Sequence, residues 1–167
     1  QPEYDEIIST MPLSLLLERL QKAPSEIGDL ARKLTFRNTL LVYLKVDRSD
    51  LFPDQWLYVH DPAVEVGRVT NFRNWLPSVY GESGASILCL EYWCYFEDPL
   101  WKMEPEALIE KARQEIVQTG LVGAGEASEG HVVRLPRCYP VYFMGYRDIM
   151  KPVETYLNTV GGLHAIG

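Results

Sequence analysis

Residues 85–96 read ASILCLEYWCYF, the most apolar strand-like run in the chain. Even-numbered positions carry Leu88, Leu90, Tyr92, Cys94 and Phe96, and odd-numbered ones carry Ile87, Cys89, Glu91, Trp93 and Tyr95. Successive side chains in a strand point to opposite faces, so each set belongs to one face. Glu91 stands out. A carboxylate in the middle of such a strand lies either on a solvated face or in a functional pocket, because its burial elsewhere is costly.

The runs on either side share this character. Residues 38–47, NTLLVYLKVD, place Leu40, Val42, Leu44 and Val46 on one face and Leu41, Tyr43 and Lys45 on the other. Apolar residues on both faces predict a central strand covered on both sides. Residues 56–60, WLYVH, and 65–72, EVGRVTNF, flank an Asp61-Pro62-Ala63 turn and predict an antiparallel hairpin. In its second strand Val66, Arg68, Thr70 and Phe72 share one face, and Gly67, Val69, Asn71 and Arg73 the other. Pro77, Gly81 and Gly84 make residues 74–84 a loop.

Further out, Pro105 begins a helix reaching about Thr119, with Leu108, Ala112 and Ile116 one turn apart and Gly120 as its stop. A loop at 123–130, a strand at 131–135, Pro136, a second strand-like run at 138–144, a helix at 147–159 and a closing strand at 163–166 follow. Before residue 38 there is a short strand at 5–9, a Leu-rich helix launched at Pro12, and a helix capped by Ser25 and running to Leu34. Hairpins with helices added predict an α+β fold, a mixed and largely antiparallel sheet flanked by helices. The strand–helix alternation of a doubly wound sheet is missing.

The 167 residues are 47% hydrophobic, enough for one core, and the reading is a single compact domain over residues 1–167. The formal net charge of -7 argues against nucleic acid or an anionic membrane as partner. Arg37, Arg68 and Arg73 could still build a local positive pocket. Cys89, Cys94 and Cys138 have no disulfide-framework spacing, and Cys89 and Cys94 fall on opposite faces of one strand. Three reduced, largely buried thiols suit a reducing, cytoplasmic setting. No apolar run approaches the length of a membrane span.

Few signals carry chemistry. Gly123-Ala124-Gly125-Glu126-Ala127-Ser128 imitates a dinucleotide turn, but it lacks the third glycine and follows a helix. His60, His131 and His164 lack metal-site spacing, and no nucleophile lies in a G-x-S-x-G setting. No catalytic residue and no metal are expected. What remains is a concentration of aromatic and polar residues: Trp56, Tyr58, Arg68, Asn71, Arg73, Trp75, Glu91, Tyr92, Trp93 and Tyr95. If the hairpin and the 85–96 strand are neighbours, one sheet face could line a ligand cavity, with aromatic walls and an arginine for a carboxylate or phosphate. The alternative is core aromatics and solvated charges. Tyr142 could reach a substrate through its hydroxyl, or serve as a structural tyrosine. The candidate substrate-binding set is Tyr58, Arg68, Asn71, Arg73, Glu91, Trp93 and Tyr142.

Several phrases resemble the FAD-dependent amine-oxidase-like superfamily, in its protoporphyrinogen-oxidase-like and UDP-galactopyranose-mutase-like branch. They are Ile8-Ser9-Thr10-Met11-Pro12-Leu13, Leu34-Thr35-Phe36-Arg37-Asn38-Thr39, Trp56-Leu57-Tyr58-Val59-His60-Asp61, Arg68-Val69-Thr70-Asn71-Phe72-Arg73-Asn74-Trp75, and Tyr139-Pro140-Val141-Tyr142 with Gly145-Tyr146. They stand in the family's order and cover nearly the whole chain. The resemblance implies a substrate-side domain cut from a larger flavoprotein, bounded near Leu163–Gly167 by the run that precedes a flavin contact. It implies FAD in the parent and a flavin-binding domain of the same parent as partner, with homo-oligomers left open; the lack of a glycine-rich dinucleotide turn predicts that this fragment holds no FAD. It implies either flavin-mediated oxidation of a small molecule or a sugar-nucleotide rearrangement, with the fragment alone inactive. An apolar aromatic cavity would favour the oxidase, and an arginine clamping a diphosphate the mutase. A non-enzymatic binding or interaction module is the competing class.

Overall fold

A computed structural model describes residues 4–166. In chain order its elements are β1 (Ile7–Ser9), α1 (Leu13–Arg19), α2 (Ser25–Ala31), β2 (Phe36–Val46), β3 (Trp56–Tyr58), β4 (Arg68–Asn71), α3 (Phe72–Trp75), a 3-10 turn (Pro77–Tyr80), β5 (Ser86–Cys94), α4 (Pro99–Lys102), α5 (Pro105–Gln118), β6 (Ala127–Pro140), α6 (Tyr146–Leu157) and β7 (Leu163–Ala165). The fold is α+β, with a largely antiparallel main sheet and flanking helices. Contacts divide the chain into two compact units, Arg37–Cys138 and a second one built from the segments before and after it.

The larger unit is built on the sheet β3-β4-β5-β2-β6. Its centre is the antiparallel pair β2–β5, with Leu40 opposite Tyr92, Val42 opposite Leu90 and Leu44 opposite Leu88. These six are fully buried, in one cluster with Leu108, Ala112 and Ile116 from the apolar stripe of α5. The other face of β2 is only half-buried at Leu41, Tyr43 and Lys45, so the expected cover on both sides is corrected. Its apolar residues line an open sheet face instead.

Three other expectations change. Residues 127–140 form one long strand, where two strands split at Pro136 were expected. β6 lies at the sheet edge, where a missing N–H interrupts no ladder on the outer side. Arg137 adopts φ 55°, and its N–H donates to the Oδ1 of fully buried Asn38 at 2.9 Å. β4 ends at Asn71 because the Asn71 Oδ1 accepts the Arg73 N–H at 3.2 Å and turns the chain into α3, which takes Phe72 out of the strand. α2 stops at Ala31, and Pro24 rather than Ser25 holds its N-cap position.

The smaller unit pairs β1 and β7 in parallel, Ile7 opposite Leu163 and Ser9 opposite Ala165. Beside the strands, α1, α2 and α6 bury Leu17, Ala31 and Val153 as a small second cluster. Gly167 lies outside the described residues. Of the cysteines, Cys89 and Cys94 are buried and Cys138 is exposed, because β6 presents it at the sheet edge; the reading of three largely buried thiols is corrected there.

Candidate functional site: the open face of the main sheet

The register of the main sheet lines residues up in rows across the face opposite the core. One row runs Tyr58, Arg68, Glu91, Leu41, and the next Trp56, Thr70, Cys89, Tyr43. Thr39 and Trp93 are directly opposite in a third. Residues facing each other across antiparallel strands share a side, so strand pairing alone assembles this surface.

Arg68 and Glu91 are its polar centre. The Arg68 Nε donates to Glu91 Oε1 at 2.7 Å and Nη2 to Oε2 at 2.6 Å, a two-pronged charge-assisted pair. Glu91 is 7% exposed. The carboxylate flagged by the sequence is thus neither solvated nor unpaired: its cost of burial is offset by the guanidinium. The same guanidinium lies 5.8 Å from the Tyr58 ring centre and 5.9 Å from that of Trp93. Arg37 approaches the Trp93 ring at 5.9 Å. Trp93 is therefore flanked by two cations attracted by its π-system.

Trp56, Arg68, Thr70, Phe72, Trp75 and Glu91 enclose an open cavity of about 480 Å³. Three aromatic rings form its walls, with Trp56 set edge-on to Tyr58 at 5.2 Å and Phe72 stacked on Tyr43 at 6.1 Å. Cys89 adjoins it on the sheet. Burial, reinforced by the nearby Glu91 charge, pushes its thiol up to about 12. The Tyr43 phenol is also raised, by burial first and then by Cys89. Neither group is set up as an ionised nucleophile at neutral pH.

The sequence-derived candidates are distributed unevenly. Tyr58, Arg68, Glu91 and Trp93 meet on the open face. Asn71 is fully buried and serves as the cap of α3. Arg73 donates to the Ala85 carbonyl at 2.6 Å and lies 5.0 Å from the Tyr80 ring centre, tying the 72–85 connection to the sheet. Tyr142 belongs to the smaller unit, where its exposed ring lies 5.0 Å from Tyr146. Thr70, Phe72 and Tyr43 were not singled out. The period of two places Thr70 beside Arg68, and that alternation was the available signal; Phe72 reaches the cavity from a helix, which alternation does not describe.

The one glycine-containing turn that imitates a dinucleotide loop does not fit a flavin's phosphates. The Gly123–Gly125 turn has its Gly123 N–H taken by the Glu126 carboxylate at 2.7 Å, and Arg48 holds that carboxylate at 3.1 Å. An acidic group stands where a phosphate would have to sit, and a strand, β6, follows the turn. Among the described residues no cluster of three or more His, Cys, Asp or Glu could hold a metal ion, and no helix is long and apolar enough to cross a membrane.

No protein-family model matches the sequence, and no curated protein matches it. Solved structures do. Reduced UDP-galactopyranose mutase superposes with a TM-score of 0.82 at 22% identity, over 98% of this chain and 35% of that one. An oxidoreductase from Methanosarcina mazei gives 0.65 at 15%, over 99% and 38%. A protein from Exiguobacterium sp. 255-15 whose proposed activity is protoporphyrinogen oxidase gives 0.66 at 20%, over 96% and 35%. The chain spans about a third of the length of these proteins, at 35–38%. By its structure, then, this chain shares the fold of one part of each of these solved proteins.

Proposed function

We propose that this chain is the substrate-side part of a flavin-dependent enzyme of the UDP-galactopyranose-mutase-like kind, with the open face of the main sheet forming one wall of the substrate cavity. The observation that carries the reading is the superposition on reduced UDP-galactopyranose mutase, with a TM-score of 0.82 over 98% of the chain. The other matches described reach 0.65 and 0.66. In this reading the chemistry belongs to a flavin held by a partner domain of the same parent. The present residues bind and orient: Arg68, Glu91 and Thr70 offer donors and acceptors, and Trp56, Phe72 and Trp75 exclude water.

The second reading is a protoporphyrinogen-oxidase-like enzyme. The aromatic share of the cavity wall favours it, since a flat apolar substrate would use those rings.

The test is expression of the gene in full. The expected product carries a yellow flavin chromophore and, once reduced, interconverts the pyranose and furanose forms of UDP-galactose. A flavoprotein that instead consumes oxygen with protoporphyrinogen would move the assignment to the second reading, and a product without flavin would reject both. The chain of residues 1–167 alone is expected to leave FAD fluorescence unchanged through the micromolar range, and saturable quenching there would overturn that expectation.

A further inference from the structure

We infer that Glu91 is a specificity-determining residue, which cancels the charge of Arg68 and so makes the sheet-face cavity select an uncharged, hydroxyl-bearing ring over an anionic group. The inference rests on reading this face as a substrate wall, and it names which part of a substrate the wall takes.

An isolated arginine on an aromatic floor attracts carboxylate or phosphate. Arg68 is not isolated. Glu91 engages both Nε and Nη2 at 2.7 and 2.6 Å. Its carboxylate is nearly buried, so water screens it weakly. Among the described residues, Arg68 and Glu91 are the charged ones lining the cavity, and their charges sum to zero. An anion entering there meets a guanidinium already held at two points by a carboxylate, the carboxylate side chain being the more buried of the two at 9% against 25% exposed. Arg37 sits beyond Trp93 and does not line the cavity. Arg73 is turned to the Ala85 carbonyl and the Tyr80 ring. His60 stands against Tyr58, with ring centres 6.2 Å apart.

What the cavity presents is a donor–acceptor pair, the Thr70 hydroxyl, and the rings of Trp56, Phe72 and Trp75. Hydroxyl groups, which both donate and accept, match the polar part without carrying charge. The C–H face of a saturated ring matches the aromatic part. A nearby arginine alone would have led to a charged substrate; the ion pair reverses that conclusion for this cavity.

The test titrates the wild-type chain, Glu91→Gln, and the double variant Arg68→Gln/Glu91→Gln with inorganic pyrophosphate, following the indole N–H resonances of Trp56 and Trp75. Removing the carboxylate's charge is expected to raise pyrophosphate affinity about tenfold or more, and the double variant is expected to lose the gain. Equal pyrophosphate affinity in wild type and Glu91→Gln, no binding in either included, overturns the inference. Should Glu91→Gln fail to fold, wild type against Arg68→Gln decides: wild-type pyrophosphate binding that disappears in Arg68→Gln overturns it, and no such binding, with a methyl hexoside shifting the same resonances, supports it. A full-length product without flavin would sink the enzymatic reading and leave this anion titration untouched.

Discussion

The Trp93 ring lies directly over the α-carbon of Gly67: a Cβ at Gly67 would stand 2.1 Å from one ring carbon and 2.6 Å from another. Gly67 is also where the hairpin edge meets β5, its N–H donating to the Glu91 carbonyl at 2.9 Å. Glycine is required because a side chain has no room, and the ring cannot withdraw without leaving Arg37 and Arg68. Gly67→Ala is expected to cost roughly 1–3 kcal/mol through forced displacement of Trp93. Urea unfolding followed by tryptophan fluorescence would check it, and an unchanged midpoint would show that the ring moves freely.

Glu115 on α5 is a buried carboxylate with a structural assignment. It accepts the N–H groups of Glu65 at 3.2 Å and Val66 at 3.0 Å, and pairs with Lys111 at 2.7 Å. This pins the segment that leads into β4, and with it Arg68. Glu115→Ala leaves two backbone donors and a half-buried cation without their acceptor. A loss of about 3 kcal/mol is expected. Thermal unfolding of Glu115→Ala against Glu115→Gln measures it, the glutamine variant keeping one acceptor and losing less.

The cysteines should separate by reactivity. Burial first, then the Glu91 charge, holds the Cys89 thiol at about 12, and burial, then the Asp98 charge, holds Cys94 at about 11. Cys138 is exposed. At pH 8 a chromogenic disulfide reagent is expected to titrate Cys138 fast in the native chain and all three thiols after denaturation. Rapid native modification of Cys89 would mean the open face exchanges more readily than its packing indicates.

The Glu126 carboxyl is held below the usual carboxylate range, first by the Gly123 N–H and then by the Arg48 guanidinium. The sign follows from linkage. A depressed acid contributes fully above its unfolded value, and that contribution is lost as pH falls through the folded one. The 123–126 turn is therefore expected to loosen only on acidification below the normal carboxylate range. Hydrogen exchange at the Gly123 amide across that range reads it, and protection independent of pH would remove Glu126 from the account.

Much of the fold was legible because periodicity reports burial. Alternation in residues 38–47 and 85–96 gave the two central strands, and the spacing of Leu108, Ala112 and Ile116 gave the helix covering them. Pro136 misled because proline breaks a ladder only where its N–H would be used, and whether a strand lies at an edge is not a local property. Counting by twos puts Val66 on the face of Arg68, yet it joins the core, since Gly67 shifts the alternation between them.

By itself the sequence determined the α+β class with a largely antiparallel sheet, and which residues share a face within one strand, as Glu91 and Trp93 do, because side-chain direction in a strand follows from counting. Only the tertiary structure decided what those residues do to one another. The register places Arg68 opposite Glu91, and that pairing turns a positive arginine and a suspicious carboxylate into a neutral donor–acceptor floor. It also takes Asn71 and Arg73 out of the cavity, one to cap a helix and one to hold a connection. Charge and hydrogen-bonding capacity are properties of residues, but whether they are spent on a neighbour or offered to a ligand depends on distances of a few ångströms between strands far apart in sequence.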